Sequence, residues 1–233
     1  MVHIHKEVFK VLAFLIPICA LIIFLVHQNS ASKHKNVIVY IISFISVFFI
    51  LFTLFFFRNP QRVINVQPKG VVSPADGTVV IIKKVFENEY FKDDRIQISI
   101  FMSITNVHVN RSPIDGVLKY YKYYPGKYFI ASLEKSSEMN EHNTSVVERN
   151  DGVKIMFRQI AGFIARRIKY FKNVNDDLKQ GDEVGIIRFG SRVDLFLPLD
   201  ADIKVKIGDK TVAGQTLIAN VEQPLTSQES LIS

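Results

Sequence analysis

Three side chains that could pass a proton along a line stand far apart in the 233-residue sequence: Asp76, His108 and Ser191. All three fall at turns or strand ends between apolar runs, as does Arg111. A carboxylate can orient an imidazole, and an imidazole can take the proton of a hydroxyl. Each also has a plainer reading, since Asp in Ser73-Pro74-Ala75-Asp76-Gly77 suits a turn and a lone His on a strand is commonly structural. Ser191 narrows the chemistry. Its neighbours are Phe189-Gly190 and Arg192-Val193, not the Gly-x-Ser-x-Gly elbow of the α/β-hydrolases, which speaks against an ordinary esterase. The Gly190-Ser191 step instead interrupts two apolar runs, Ile186-Ile187 and Val193 to Leu197, where the hydrophobic pattern asks for no turn.

An inward attack of the Ser191 hydroxyl on the carbonyl of Gly190 therefore stays open, given a nearby base and a strained peptide. The product is an ester in place of a peptide bond. Elimination across Ser191 would then cut the chain and leave a dehydroalanine. Hydrolysis of its enamine form gives a pyruvoyl group, a ketone able to form an imine with a substrate amine.

The elements that must position these residues are short strands. Thr78-Val79-Val80-Ile81-Ile82 follows the Asp76 turn, and Ile96, Ile98, Ile100 and Met102 alternate with Gln97, Ser99, Phe101 and Ser103, the period of a strand with two faces. Val107 to Asn110 continues that strand or starts another. Ile114 to Val117, Val146 to Glu148, Val153 to Phe157 and Arg158 to Ile168 have similar texture. Gln180-Gly181-Asp182-Glu183-Val184-Gly185 is echoed by Ile207-Gly208-Asp209 through Gly214, two Gly-Asp turns leading into short apolar strands. Tyr120 to Asn143, rich in Tyr around Pro125-Gly126-Lys127, reads as a long loop with one short helix, either a lid or an interfacial loop. The tail from Gln223 to Ser233 reads as frayed. The fold class is thus a mostly β soluble domain, a small barrel or sandwich of hairpins, behind a two-helix hydrophobic membrane hairpin.

That hairpin occupies residues 1–62, with spans at about 8–26 and 37–57, and the β-rich domain occupies 63–233. The second run carries no charge and the first carries only Lys10, near its outer end. Each approaches the roughly 20 residues that cross a bilayer as helix. A signal peptide is the rival reading of the first run, given Ser30-Ala31-Ser32, but the apolar stretch is too long and a second follows at once. Lys6, Lys10, Arg58 and Arg62 at the ends outweigh Lys33 and Lys35 in the loop, which places the β domain on the cytoplasmic face of the cell membrane. The single cysteine, Cys19, lies inside the first run, which excludes an intrachain disulfide and a Cys-based metal site. No metal is expected. A net charge of +7 favours an anionic membrane as partner, whereas nucleic acid is not expected, because the basic residues are scattered.

Taken together, Arg188-Phe189-Gly190-Ser191-Arg192-Val193-Asp194, Ser73-Pro74-Ala75-Asp76-Gly77, Asn106-Val107-His108-Val109-Asn110-Arg111-Ser112-Pro113, Pro125-Gly126-Lys127 and Gln159-Ile160-Ala161-Gly162 with Ala165-Arg166-Arg167 resemble the short bacterial and archaeal-type phosphatidylserine decarboxylase proenzymes. The resemblance covers the whole soluble part, in order. It implies self-cleavage between Gly190 and Ser191 into a large chain, 1–190, and a small one, 191–233, which stay together as a heterodimer or in a higher oligomer. Ser191 would become the covalent pyruvoyl cofactor. Asp76, His108 and Ser191 match positions that look like the family's self-processing and catalytic groups. Longer relatives carry a second histidine where this chain has Arg111.

The resemblance further implies conversion of phosphatidylserine to phosphatidylethanolamine and carbon dioxide, with an ether-linked serine lipid as a related substrate. His108 is the candidate acid for reprotonation, since imidazole titrates near neutrality. Arg111, Lys127 and Arg166 are candidates to bind the lipid phosphate. A reading of another class, a non-enzymatic membrane-tethered β adaptor or carrier, has no need of Ser191.

Overall fold

The computed structural model describes residues 2–29, 34–64, 66–126, 140–162, 168–188 and 191–222. The chain divides into two units, Met1–Gln61 and Arg62–Ser233. In the first, β1 (Val2–Ile4) precedes two helices, α1 (Glu7–Asn29) and α2 (Lys35–Phe56), and pairs antiparallel with β2 (Arg58–Pro60). Each helix is long and apolar enough to cross a membrane, with mean hydropathy 2.8 over its best window. Large apolar side chains such as Phe14, Tyr40 and Phe44 stand out from the helix surfaces, about three-quarters exposed, which suits lipid as their solvent. The β1–β2 pair escaped sequence reading because three residues carry too little pattern to register.

The second unit is built from strands: β3 (Gly70–Val72), β4 (Gly77–Glu87), β5 (Asp93–Met102), β6 (Val109–Arg111), β7 (Gly116–Tyr124), β8 (His142–Glu148), β9 (Lys154–Ala161), β10 (Ile168–Tyr170), β11 (Asp177–Leu178), β12 (Glu183–Ile187), β13 (Ser191–Leu197), β14 (Asp202–Ile203), β15 (Lys210–Thr211) and β16 (Leu217–Asn220). Eight of them form one antiparallel sheet in the order β11-β7-β8-β9-β13-β5-β4-β15, curled as a half-barrel. Two three-stranded sheets, β10-β12-β6 and β14-β16-β3, share its core. The mostly β expectation holds. Tyr120 to Tyr124, expected in a loop, is instead the second half of β7. A register shift between Leu118 and Tyr120 turns these tyrosines onto a ladder with β8, a tertiary pairing that composition alone could not announce. Residues 127–139 and the tail from 223 lie outside the described residues.

Alternation sorts the two faces of the large sheet. On the inner face Ile98, Ile100, Val193, Leu195, Leu197, Ile155, Phe157 and Val147 join one buried cluster with Val184 and Ile187 of β12 and Ile218 of β16. Burying each such side chain contributes roughly 1.5–3 kcal/mol. Among the described residues the outer face carries a small apolar cluster, Val146, Met156 and Phe196, beside a polar layer. Strand β13 is central, flanked by β5 and β9, and all seven of its residues are buried.

The Gly-Asp turns form as expected. In Lys179–Asp182 the Lys179 N–H donates to the Asp182 carboxylate (3.2 Å) and Asp182 N–H returns to the Lys179 carbonyl (2.9 Å), while Gly181 takes φ +85°. Lys206–Asp209 repeats this at 3.0 and 3.1 Å with Gly208 at φ +95°. A third copy, Asn173–Asp176, went unread because Asn175 (φ +76°) replaces the glycine.

Candidate active site

Ser191 opens β13, and the ladders set it opposite Met102, the last residue of β5, and Ala161, the last of β9. All three are wholly buried on the inner face. The Ser191 hydroxyl donates to the Met102 sulfur at 3.3 Å. A thioether is a weak acceptor, so the hydroxyl sits in a dry place without a strong partner.

The Asp76 turn reaches the same strand ends through its neighbours. A Cβ on Gly77 would collide with the Phe101 carbonyl oxygen and come within 2.9 Å of Ile100, so only glycine lets the turn lie this close to β5. Thr78 then pairs with Phe101. Asp76 itself is gripped by Arg62, whose two guanidinium nitrogens donate to the two carboxylate oxygens at 2.6 and 2.7 Å. Ala213 N–H adds a third bond at 2.8 Å, and Arg62 also reaches the Ala213 carbonyl at 2.8 Å. Arg62 read as a membrane flank in sequence. Its charge belongs to the β unit, and no local pattern separated the two roles.

His108 lies in the connection from β5 to β6 and is wholly buried. Its Nδ1 is 3.0 Å from the Asn106 carbonyl oxygen. A ring nitrogen facing a carbonyl carries the proton, which leaves Nε2 as the basic nitrogen. The His108 carbonyl accepts from Ile187 N–H at 3.3 Å, four residues before Ser191.

Arg111 ends β6, with Nη1 on the Gly181 carbonyl (2.8 Å) and Nη2 on Glu183 (3.2 Å). Burial pulls its guanidinium below the ordinary arginine value; Glu183 opposes that fall and the nearby Arg62 adds to it. Gly214 closes the cluster: at φ +74°, a Cβ there would press Ile64 at 2.7 Å and the Arg111 side chain at 3.3 Å. Lys127, Arg166 and Gly190 lie outside the described residues.

Residues adjoining Asp76 and following His108 thus meet the end of β5, where Ser191 also pairs. Gly77 abuts Phe101, Ser191 pairs with Met102, and Asn110, two residues after His108, points its amide at the Met102 sulfur (3.5 Å). Sequence reading missed Met102 and a row of buried amides behind it. Asn143 Nδ2 donates to Gln159 Oε1 (3.0 Å), and Gln159 Nε2 donates to Asn110 Oδ1 (2.7 Å), all three side chains fully buried. The signal available was polar residues at core-facing positions of β8 and β9.

The position of Ser191 suits a pyruvoyl group. A ketone there would displace only a hydroxyl bonded to sulfur, in a site whose flanking residues exclude water. Met102 and Ala161, both wholly buried, would flank the group, which would supply an electron-accepting carbonyl.

Residues 49–219 match the family model for phosphatidylserine decarboxylase. A phosphatidylserine decarboxylase proenzyme of Amoebophilus asiaticus is 60% identical over 171 residues, covering 73% of this chain and 76% of the relative. Proenzymes of Cytophaga hutchinsonii and Desulfotalea psychrophila are 45% and 41% identical, covering 93% and 88% of this chain and 97% and 94% of theirs. By both measures the chain belongs to the phosphatidylserine decarboxylase family.

Proposed function

We propose that the chain cuts itself between Gly190 and Ser191 and that the new terminus at 191, as a pyruvoyl group, serves decarboxylation of phosphatidylserine to phosphatidylethanolamine. The observation that carries this reading is Ser191 itself. It is a fully buried hydroxyl at the first residue of a central strand, on the weak acceptor Met102, with a buried imidazole on the neighbouring connection. His108, with Nδ1 committed to Asn106, presents Nε2 as base for self-cleavage and as acid for the carbanion left by carbon dioxide. Asp76 ties the 73–77 turn to Arg62 and Ala213. Arg111, Lys127 and Arg166 remain the candidates for the lipid phosphate, with Arg111 sharing its charge with Glu183.

The two halves would remain one body after cutting, because β13 is laddered to β5 and β9 on either side. Both apolar helices would hold the enzyme at the membrane that contains its substrate, and Lys6, Lys10 and Arg58 favour a cytoplasmic β unit. The test is release of carbon dioxide from carboxyl-labelled phosphatidylserine in detergent micelles. Wild-type protein releases it and Ser191→Ala does not. Equal release by Ser191→Ala would overturn the assignment.

A further inference from the structure

Asn110 has one side-chain hydrogen-bond arrangement that its surroundings allow. Its Oδ1 accepts from Gln159 at 2.7 Å, and Gln159 is itself held by Asn143. Its Nδ2 faces the Pro74 carbonyl oxygen at 3.4 Å and the Met102 sulfur at 3.5 Å. Turning the amide over would set oxygen against oxygen and sulfur, all acceptors. The donor end therefore faces these two atoms, and its contact with the carbonyl oxygen is long.

Two donors, the Ser191 hydroxyl at 3.3 Å and the Asn110 amide at 3.5 Å, converge on one thioether. Sulfur is the weakest acceptor available to either, and methionine is the side chain most able to move aside. Such a place favours any stronger acceptor that forms there. Resting on the self-processing reading above, we propose that Asn110 is a catalytic hydrogen-bond donor to the oxygen of Ser191 during its elimination, with Gln159 and Asn143 as positioning residues.

The chemistry explains why the amide stands off in the uncut chain. When the hydroxyl attacks residue 190, its oxygen is a nucleophile, and a donor on it would weaken the attack. That attack forms a carbon–oxygen bond, breaks the carbon–nitrogen bond and frees the amine of residue 191. A base then removes the Cα proton of residue 191; that electron pair forms the Cα–Cβ double bond, and the Cβ–oxygen pair leaves with the oxygen as the carboxylate of residue 190. In this second step the oxygen departs carrying negative charge, and there an amide donor in a buried site is most effective. Water then hydrolyses the enamine form and ammonia departs.

The test follows the full-length chain by intact mass, with hydroxylamine added at intervals to cleave any ester. Asn110→Ala should accumulate a hydroxylamine-sensitive chain, with elimination slowed about 10²- to 10³-fold, the usual effect of losing one such donor. In Asn110→Asp the ionised carboxylate repels the forming charge, while the protonated acid can donate. Its elimination rate relative to wild type should rise as pH falls, a profile that a packing role would not produce. Asn110→Ala chains that cut at the wild-type rate, or that stay uncut with no trappable ester, overturn the proposal, as does a flat pH ratio for Asn110→Asp. An uncut wild-type chain would instead overturn the self-processing reading and this proposal with it.

Discussion

The two faces of β13 solve opposite problems. Inward, Ser191 is followed by Val193, Leu195 and Leu197, and its hydroxyl bonds the Met102 thioether, behind which three buried amides are linked. Outward, Arg192 and Asp194 are wholly buried and joined at 2.8 Å, with Gln97 donating to Asp194 at 3.1 Å. Beside them Arg158 donates to Glu89 at 2.8 Å, and Glu89 also accepts from Tyr120, Tyr124 and Thr144. Buried charge is kept where partners neutralise it.

Removing a partner from the outer face should give the largest effect. Arg192→Leu alone, or Asp194→Leu alone, takes one member from a buried ion pair and should cost about 3–5 kcal/mol, whereas the double replacement should recover much of it. Thermal unfolding of the detergent-solubilised chain checks this; additive losses would mean that the pair is not coupled. On the inner face, Leu195→Ala removes apolar volume only and should cost about 2–5 kcal/mol with no rescue by any change at 192 or 194.

A third way to sharpen the contrast lies at the Asp76 turn. Arg62→Met frees the carboxylate and should cost about 2 kcal/mol through two lost charge-assisted bonds. It should also slow appearance of the 191–233 fragment, read by mass, since the 73–77 turn abuts β5 beside Met102.

Acid should weaken the outer face first. Burial pushes the His142 imidazole below its ordinary value, so the folded state favours the neutral ring. That stability is present above about pH 6.5 and is lost as pH falls toward the folded value. Burial alone would raise the Glu89 carboxyl, but Arg158 and the three hydroxyls outweigh it and hold it low. Its contribution is present above about pH 4.5 and lost on further acidification. His142→Gln should flatten the first decline and Glu89→Gln the second, in unfolding followed against pH. The smallest effect is expected at Lys84–Asp94, paired at 2.7 Å but largely exposed, where Lys84→Ala should change stability by no more than about 1 kcal/mol.

Much of this was legible in the chain. The period-2 run from Ile96 to Met102 named β5 and its inner face, the Gly-Asp turns named two of the like corners, and the apolar runs named α1 and α2. Ser191, His108 and Asp76 stood out because polar residues interrupted apolar texture. What stayed hidden depends on distant pairing. Arg62 reaches Asp76 across 14 residues, and Gln159 reaches Asn110 across 49, so neither contact leaves a local period. The strand identity of Tyr120 to Tyr124 was hidden because their ladder partner, β8, starts only at His142.

The central claim is that Ser191 becomes the reactive terminus of a cut chain, and intact mass under denaturing conditions tests it most directly. Wild-type protein should give two fragments divided after Gly190, the smaller lighter than a serine-started peptide by one ammonia, and Ser191→Ala should give one uncut chain. A wild-type chain that stays whole on prolonged incubation with membranes, or a Ser191→Ala chain that still divides there, would contradict it.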